Sequence, residues 1–298
     1  MNLTEIKDRK FSGERPLFDK ENLYIENCVF ENGESPLKEC RNIELNGCAF
    51  HWKYPLWYDR DVKADNCTWT EFARAGVWYT DGAEIRNCII QAPKNFRRCS
   101  GLVIENTFIS RAEETLWSCE NVKLNNVNAR GDYFLMNSRN VTVDGLFLDG
   151  NYSFDGVDGA VIRNSKLLTK DAFWNSRNIT VYDSYISGEY LGWNSKNLTL
   201  INCTVESLQG LCYIDNLVMK NCRLVNTTLA FEYTKGDVQV SSRVESVLNP
   251  SAGNFSIDEI GELIIENDRV DEGGFTIECD NIERRSDRPE WLRDRHEI

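Results

Sequence analysis

Apolar and polar residues alternate along this chain in short bursts, and the bursts recur about every 19 residues between Asn22 and Val225. One apolar column reads Leu23, Ile43, Val62, Ala83, Leu102, Val122, Val141, Ala160, Ile179, Leu198 and Leu217. Two residues on, a second reads Ile25, Leu45, Ala64, Ile85, Ile104, Leu124, Val143, Ile162, Val181, Leu200 and Met219. Mixed residues such as Glu44, Lys63, Lys123 and Thr142 stand between them. Period two is the pattern of a strand with one buried face. A strand this short is unstable alone, but stacked in register on its own copies it becomes a parallel sheet.

Two further columns flank that strand. The first holds Asn22, Asn42, Asp61, Gly82, Gly101, Asn121, Asn140, Gly159, Asn178, Asn197 and Asn216; the second holds Asn27, Gly47, Asn66, Asn87, Asn106, Asn126, Gly145, Asn164, Asp183, Asn202 and Asn221. Every member is Asn, Asp or Gly, the residues that enter the left-handed backbone region at low cost. The chain therefore turns a corner at the same two places in each winding. A second short strand is expected to bury Phe30, Phe50, Trp69, Ile90 and Ile109, and a third Leu37, Leu56, Val77, Phe96, Leu116, Leu135, Phe154, Phe173 and Leu211. Three strands and three turns per coil predict an all-β parallel β-helix, with about eleven regular coils of 19–21 residues and irregular terminal coils. A pentapeptide coil would need a five-residue beat, which is missing, and a hexapeptide helix a step of eighteen. A leucine-rich repeat is the nearest rival, but it carries one strand per repeat and an irregular back.

The repeat runs unbroken, so the 298 residues are read as one domain. Residues 1–20 are expected to cap the first coil, 21–226 to form the regular coils, 227–282 irregular terminal coils, and 283–298 a charged tail. A net charge of −13 argues against nucleic acid, which needs a basic surface. No long apolar run suggests a membrane span, and the N-terminus lacks a signal-peptide core, so a cytoplasmic location is expected. Nine of the eleven cysteines share columns with Ser, Thr, Val and Leu: Cys28, Cys48, Cys67, Cys88, Cys203 and Cys222 align with Thr107, Val127, Leu146, Ser165 and Ser184, and Cys40, Cys99 and Cys119 with Thr80, Ser138, Ser176 and Ser195. Such a column selects for small size, so free packed thiols are expected rather than disulfides. No zinc-type spacing and no convergent set of acids occurs, so neither a metal nor a cofactor is expected.

Candidate chemistry lies in a column that alternation turns outward: Trp57, Trp78, Arg97, Trp117, Met136, Asp155, Trp174, Trp193 and Cys212. Neighbouring columns supply Tyr54, Tyr133, Tyr152 and Tyr190, and Asn137, Asn175, Asn194 and Tyr213. Three readings fit this face. Sugar rings stack on indoles while amides take hydroxyls. Alternatively, the rings form a ladder that stiffens the coil, with Arg97 as a cation–π spacer between Trp78 and Trp117. A third reading is a partner surface, including homo-oligomerisation through the aromatic face. Catalytic candidates are few. His51 and His296 read as surface residues. Glu113 and Asp132 fall at one position on adjacent coils, near the separation of a retaining glycosidase pair, but any two acids on neighbouring coils share that distance.

The blocks Tyr190-Leu-Gly-Trp-Asn-Ser-Lys-Asn-Leu-Thr-Leu-Ile-Asn-Cys203, Leu211-Cys-Tyr213 and Leu229-Ala-Phe-Glu-Tyr233 resemble an uncharacterised family of bacterial parallel β-helix proteins, grouped with the pectate-lyase-like proteins. The resemblance implies a right-handed, single-stranded β-helix and no known activity. The wider superfamily includes polysaccharide lyases, galacturonases and pectin esterases. The Asn-Thr-Asp, Asp-Asp and Gly-His-Gly strings of galacturonases do not occur here, and no acidic cluster follows Arg97 and Arg98 to hold the calcium a lyase uses. The sequence thus points to a carbohydrate-recognising solenoid that uses its aromatic face. A carbohydrate-active enzyme, lyase or hydrolase, using Glu113, Asp132, Arg97 or Asp155 is the alternative, and an interaction scaffold the third reading.

Overall fold

The computed structural model describes residues 3–288 as a parallel β-solenoid of about fifteen turns, with no α-helix among the described residues. The chain divides into two compact units, residues 1–160 and 161–298.

In the first unit, strands such as Glu21–Glu26, Arg41–Asn46, Arg60–Asp65, Asp81–Arg86 and Ser100–Ile109 pair in parallel. The register is the one the columns imply, Leu23 opposite Ile43, Ile43 opposite Val62 and Ala83 opposite Leu102. Behind them, Phe11, Phe30, Phe50 and Trp69 stack through the core at 5.1, 4.8 and 5.2 Å. In the second unit, Arg177–Tyr182, Lys196–Ile201 and Asp215–Thr228 repeat the arrangement, with Ile179 opposite Leu198 and Leu198 opposite Leu217. Every residue of the two corner columns has φ between +47° and +80°. Their side chains also bond from turn to turn: Asn42 Nδ2 donates to Asn22 Oδ1 at 2.7 Å, and Asn197 Nδ2 to Asn178 Oδ1 at 2.9 Å. All eleven cysteines are thiols and ten are buried.

Two expectations are corrected. There are about fifteen turns, not eleven. Thr4–Lys7 pairs with Leu23–Glu26, so the segment expected as a cap winds as a turn, with Thr4 and Ile6 in register with Leu23 and Ile25. At the other end Lys235–Leu248, Ala252–Ile264 and Phe275–Ser286 pair in parallel as long strands. Of the expected charged tail, Glu283–Ser286 belong to the last strand, and residues 289–298 lie outside the described residues.

The third side of the coil is mostly turn rather than strand. Among the described residues only Leu56–Trp57 and Val77–Trp78 pair there as strands, extended by single bridges from Trp78 to Arg97 and from Arg97 to Trp117. Its inward residues take left-handed backbone, with φ +64° at Leu135, +60° at Phe154, +61° at Phe173 and +71° at Phe231. A turn bond follows each: Ser138 N–H to Leu135 O, Val157 to Phe154, Ser176 to Phe173 and Thr234 to Phe231. The left-handed conformation costs about 1–2 kcal/mol per residue. Full burial of a Leu or Phe side chain returns about 1.5–3 kcal/mol, and all four side chains are buried. Burial therefore wins, and no Gly marks these turns in the sequence.

Candidate functional site

The first unit carries a continuous stack. Trp57 and Trp78 lie 5.1 Å apart with planes 4° from parallel. The Arg97 guanidinium follows, 4.8 Å from Trp78 and 4.7 Å from Trp117. Trp117 meets Tyr133 at 6.4 Å, and Tyr133 stacks on Tyr152 at 5.0 Å. Beside it Tyr58 and Tyr79 stack at 4.8 Å and 3°. The indole N–H groups are tied down: Trp57 donates to Ala75 O at 2.6 Å and Trp78 to Lys94 O at 2.7 Å. Arg97 Nη2 bonds Glu114 Oε2 at 2.7 Å, and Lys94 reaches Glu114 Oε1 at 3.1 Å. Burial works against the charged form of Glu114, but the two cations outweigh it and hold the carboxyl below its usual range. In such a stack neighbouring rungs cover each other's facing ring surfaces, although Tyr58 and Tyr133 remain 49% and 38% exposed. Arg97 is a spacer here, as the stiffening-ladder reading expects.

The second unit starts the same way and then departs. Trp174 and Trp193 stack at 5.7 Å and 12°, and Trp174 Nε1 donates to Tyr190 O at 2.8 Å. Past Trp193 the rings tilt. Tyr213 meets Trp193 at 64° and 5.1 Å, and Tyr233 meets Tyr213 at 51° and 5.4 Å; the edge-on contact of Tyr190 with Trp193, at 66°, has counterparts in the first unit, where Tyr58 meets Trp57 at 75° and Tyr79 meets Trp78 at 74°. Tyr213 is 40% exposed, while the Trp193 indole nitrogen is buried without a partner. The column does not stay outward: Cys212 is fully buried, because a thiol is small enough to pack where an indole is not. The next rung, Glu232, is 8% exposed and accepts from Gln209 Nε2 at 3.3 Å. Burial pushes the Glu232 carboxyl up, against the bonds from Gln209 and Tyr213. Burial and the nearby Glu232 push the Tyr213 hydroxyl up to about 12. Beyond it the buried Glu266 takes Asn249 Nδ2 at 2.6 Å and pairs with Arg269 at 3.5 Å. Asn175 and Asn194 are exposed and bonded to each other at 2.8 Å.

Sequence reading missed Gln209 and Glu232. Glu232 lies twenty residues past Cys212, in the column's own register, but one acid in a column of indoles gives no signal of its own.

The catalytic candidates are dispersed. Asp132 Oδ1 accepts from the Asn151 N–H at 2.7 Å. Glu113 keeps one carboxylate oxygen buried without a partner. The backbones of this pair's coils run very close, since a Cβ on Gly131 would collide with the Glu113 amide. Asp155 is half-buried, and its carbonyl accepts from the exposed Asn137 N–H at 2.8 Å. His51 is exposed, and His296 lies outside the described residues. Among the described residues no group of three or more His, Cys, Asp or Glu is placed to hold a metal ion, and no helix is long and apolar enough to cross a membrane.

The family described as "Protein of unknown function (DUF3737)" matches residues 4–278. No protein with a curated description matches the chain. Among solved structures, similarity is found to HetL, a pentapeptide repeat protein involved in heterocyst differentiation regulation from the cyanobacterium Nostoc sp. strain PCC 7120. It is 13% identical, with 74% of this chain and 92% of that one covered and a TM-score of 0.30. A tailspike protein mutant of E. coli bacteriophage HK620, solved with a pentasaccharide, is 8% identical over 95% and 70% of the two chains, at 0.34. The A-module of the Azotobacter vinelandii mannuronan C-5 epimerase AlgE6 is 12% identical over 97% and 92%, at 0.33. Scores this low carry neither ligand nor activity across, and membership of the pectate-lyase-like superfamily does not follow from them.

Proposed function

We propose that this chain, which belongs to the family described as "Protein of unknown function (DUF3737)", is a carbohydrate-recognising solenoid whose binding surface is the tilted aromatic cluster of the second unit. The observation that carries the reading is the change of ring geometry after Trp193, from 12° to 64° and 51°. A sugar stacks its C–H face on an uncovered ring face. Parallel rungs cover each other's faces, whereas tilted rings turn them outward. Gln209 and Glu232 beside Tyr213 supply an amide and a carboxyl for hydroxyl groups, the sparse polar complement such sites carry. Asn175 and Asn194 flank the neighbouring Trp174 and Trp193. The stack of Trp57, Trp78, Trp117, Tyr133 and Tyr152 serves as a rigid frame.

Binding without turnover is the reading the side chains favour. Arg97 is held between two indoles and Glu114, and Asp132 is engaged by a backbone N–H. Ten buried thiols suit a reducing compartment, consistent with the cytoplasm. Intrinsic tryptophan fluorescence against a panel of neutral oligosaccharides tests the proposal. At least one member should shift the emission, and Tyr213→Ala should weaken that response about tenfold, or about 1.4 kcal/mol. No shift with any oligosaccharide, together with a concentration-dependent dimer, would assign the aromatic face to a second copy of the chain instead.

A further inference from the structure

The repeat is broken once in length. Corner to corner the windings step by 19 or 20 residues, except from Asp61 to Gly82, where the step is 21. The extra residues fall in one loop. Five residues separate Phe50 from Leu56 and Ile90 from Phe96, but seven, Thr70–Gly76, separate Trp69 from Val77. The longer loop closes a turn, Ala73 N–H to Thr70 O at 2.9 Å, and lifts Phe72 off the solenoid. Phe72 is 60% exposed, the most exposed large apolar side chain among the described residues. It meets Trp52 at 5.9 Å with the rings tilted by 43°.

Around Phe72 lies a cleft of about 370 Å³ lined by Lys53, Glu71, Arg74, Pro93 and Arg111. Lys53 is paired with Glu34 at 3.0 Å and Arg111 with Glu71 at 2.6 Å. The Arg74 guanidinium makes no hydrogen bond or ion pair among the described residues. The cleft thus holds a cation without a counter-ion, beside an open ring, in a chain of net charge −13. Inserted loops on a rigid scaffold are where binding groups concentrate. A guanidinium offers a planar fork that matches a carboxylate, and the exposed Phe72 ring lines the same cleft as an apolar wall.

We propose that this cleft binds a ring-bearing monocarboxylate, with the carboxylate on Arg74 and the ring against Phe72. A run of phosphates or acidic residues fits less well, because the strongly acidic chain repels every charge of a polyanion beyond the one that Arg74 neutralises. The proposal does not depend on the Tyr213 surface, which lies on other residues.

Two sources share this chemistry, a sugar acid and an aromatic acid, and matched probes separate them: methyl glucuronide against methyl glucoside, and phenylacetate against benzyl alcohol. Saturation-transfer NMR with the full chain should show at least one acid binding ten times or more tightly than its neutral partner. Arg74→Ala and Phe72→Ala should each weaken that binding tenfold or more, and raised salt should weaken it in the wild type. Both substitutions are at the surface, and an unchanged denaturant midpoint confirms that the fold is retained. Tyr213→Ala should leave binding of the acid unchanged. Equal binding of acid and neutral partners, loss of binding in Tyr213→Ala but not Arg74→Ala, tighter binding of a hexaglutamate peptide than of either acid, or no binding of either acid would each overturn the assignment.

Discussion

Successive rungs of the aromatic columns lie parallel in the first unit, 4° from Trp57 to Trp78 and 3° from Tyr58 to Tyr79, and come apart in the second, 64° from Trp193 to Tyr213 and 51° from Tyr213 to Tyr233. In the first, Trp57, Trp78, Arg97 and Trp117 form a column in which each face meets the next, and the indole nitrogens of Trp57 and Trp78 are fastened to backbone carbonyls. In the second, the same column keeps two parallel indoles, then replaces the next rung by the small, buried Cys212 and the one after by Glu232. The tyrosines alongside then tilt, and one is 40% exposed. The difference separates two uses of one residue class. Under the proposed function, regular stacking consumes ring faces and yields stiffness, and interrupted stacking leaves faces and polar groups for a ligand. The carboxyls differ in the same sense. Asp59 is fully buried in the first unit, where Oδ1 accepts from the Cys40 N–H at 2.7 Å and Oδ2 has no partner. Glu232 sits at the margin of the second, held by Gln209.

The largest effect expected in this comparison comes from Asp59. Burial pushes its carboxyl up to about 8, only partly opposed by the Cys40 N–H. The unfolded chain releases that proton near pH 4, the folded chain only near 8, so folding stability falls as pH rises between the two and levels off above. Asp59→Asn keeps the acceptor for Cys40 and removes the proton. Unfolding free energies from denaturant titration should therefore match wild type near pH 4 and exceed it at pH 8 by several kcal/mol, at about 1.4 kcal/mol per pH unit.

Trp78→Ala comes next. It removes a stacked face, a cation–π contact and an indole bond, and should cost about 3 kcal/mol in chemical denaturation without changing oligosaccharide binding. Tyr213→Ala should do the reverse: less than about 1 kcal/mol of stability for a half-exposed ring, but about a tenfold loss of affinity. Glu114→Gln should have the smallest effect. Its carboxyl is held low, so its contribution is present above about pH 4 and fades as pH falls. Partial exposure keeps it below about 1 kcal/mol, and added salt should shrink it further.

What could be read from the sequence follows from what repetition reveals. Asn22 and Asn27 belong to columns confined to Asn, Asp and Gly, and the physical reason, a left-handed corner, acts in every turn. The inward columns from Leu23 and Ile25 were equally legible, because burial tolerates no exception along a shared core. The turns at Leu135 and Phe154 were hidden. Their left-handed backbone is sustained by burial of an apolar side chain, so they look like strand residues. The first turn at Thr4 keeps one corner residue, Asp8 at φ +53°, the last strands from Lys235 follow the alternation without that corner, and both were undercounted. The indole column was found, but its orientation was not: a list of spacings says that rings share a column, not whether they lie parallel or tilted. Gln209, Glu232, Phe72 and Arg74 stand where the repeat changes residue or length, and column matching suppresses those positions. The one 21-residue step was visible in the corner spacing.

The division between frame and binding surface is tested most directly by calorimetric titration of Trp78→Ala and Tyr213→Ala side by side with the neutral oligosaccharide to which the wild type responds best. The structure predicts that Trp78→Ala binds as wild type does once folded, and that Tyr213→Ala binds about tenfold more weakly. Loss of binding in Trp78→Ala with Tyr213→Ala unchanged would contradict it.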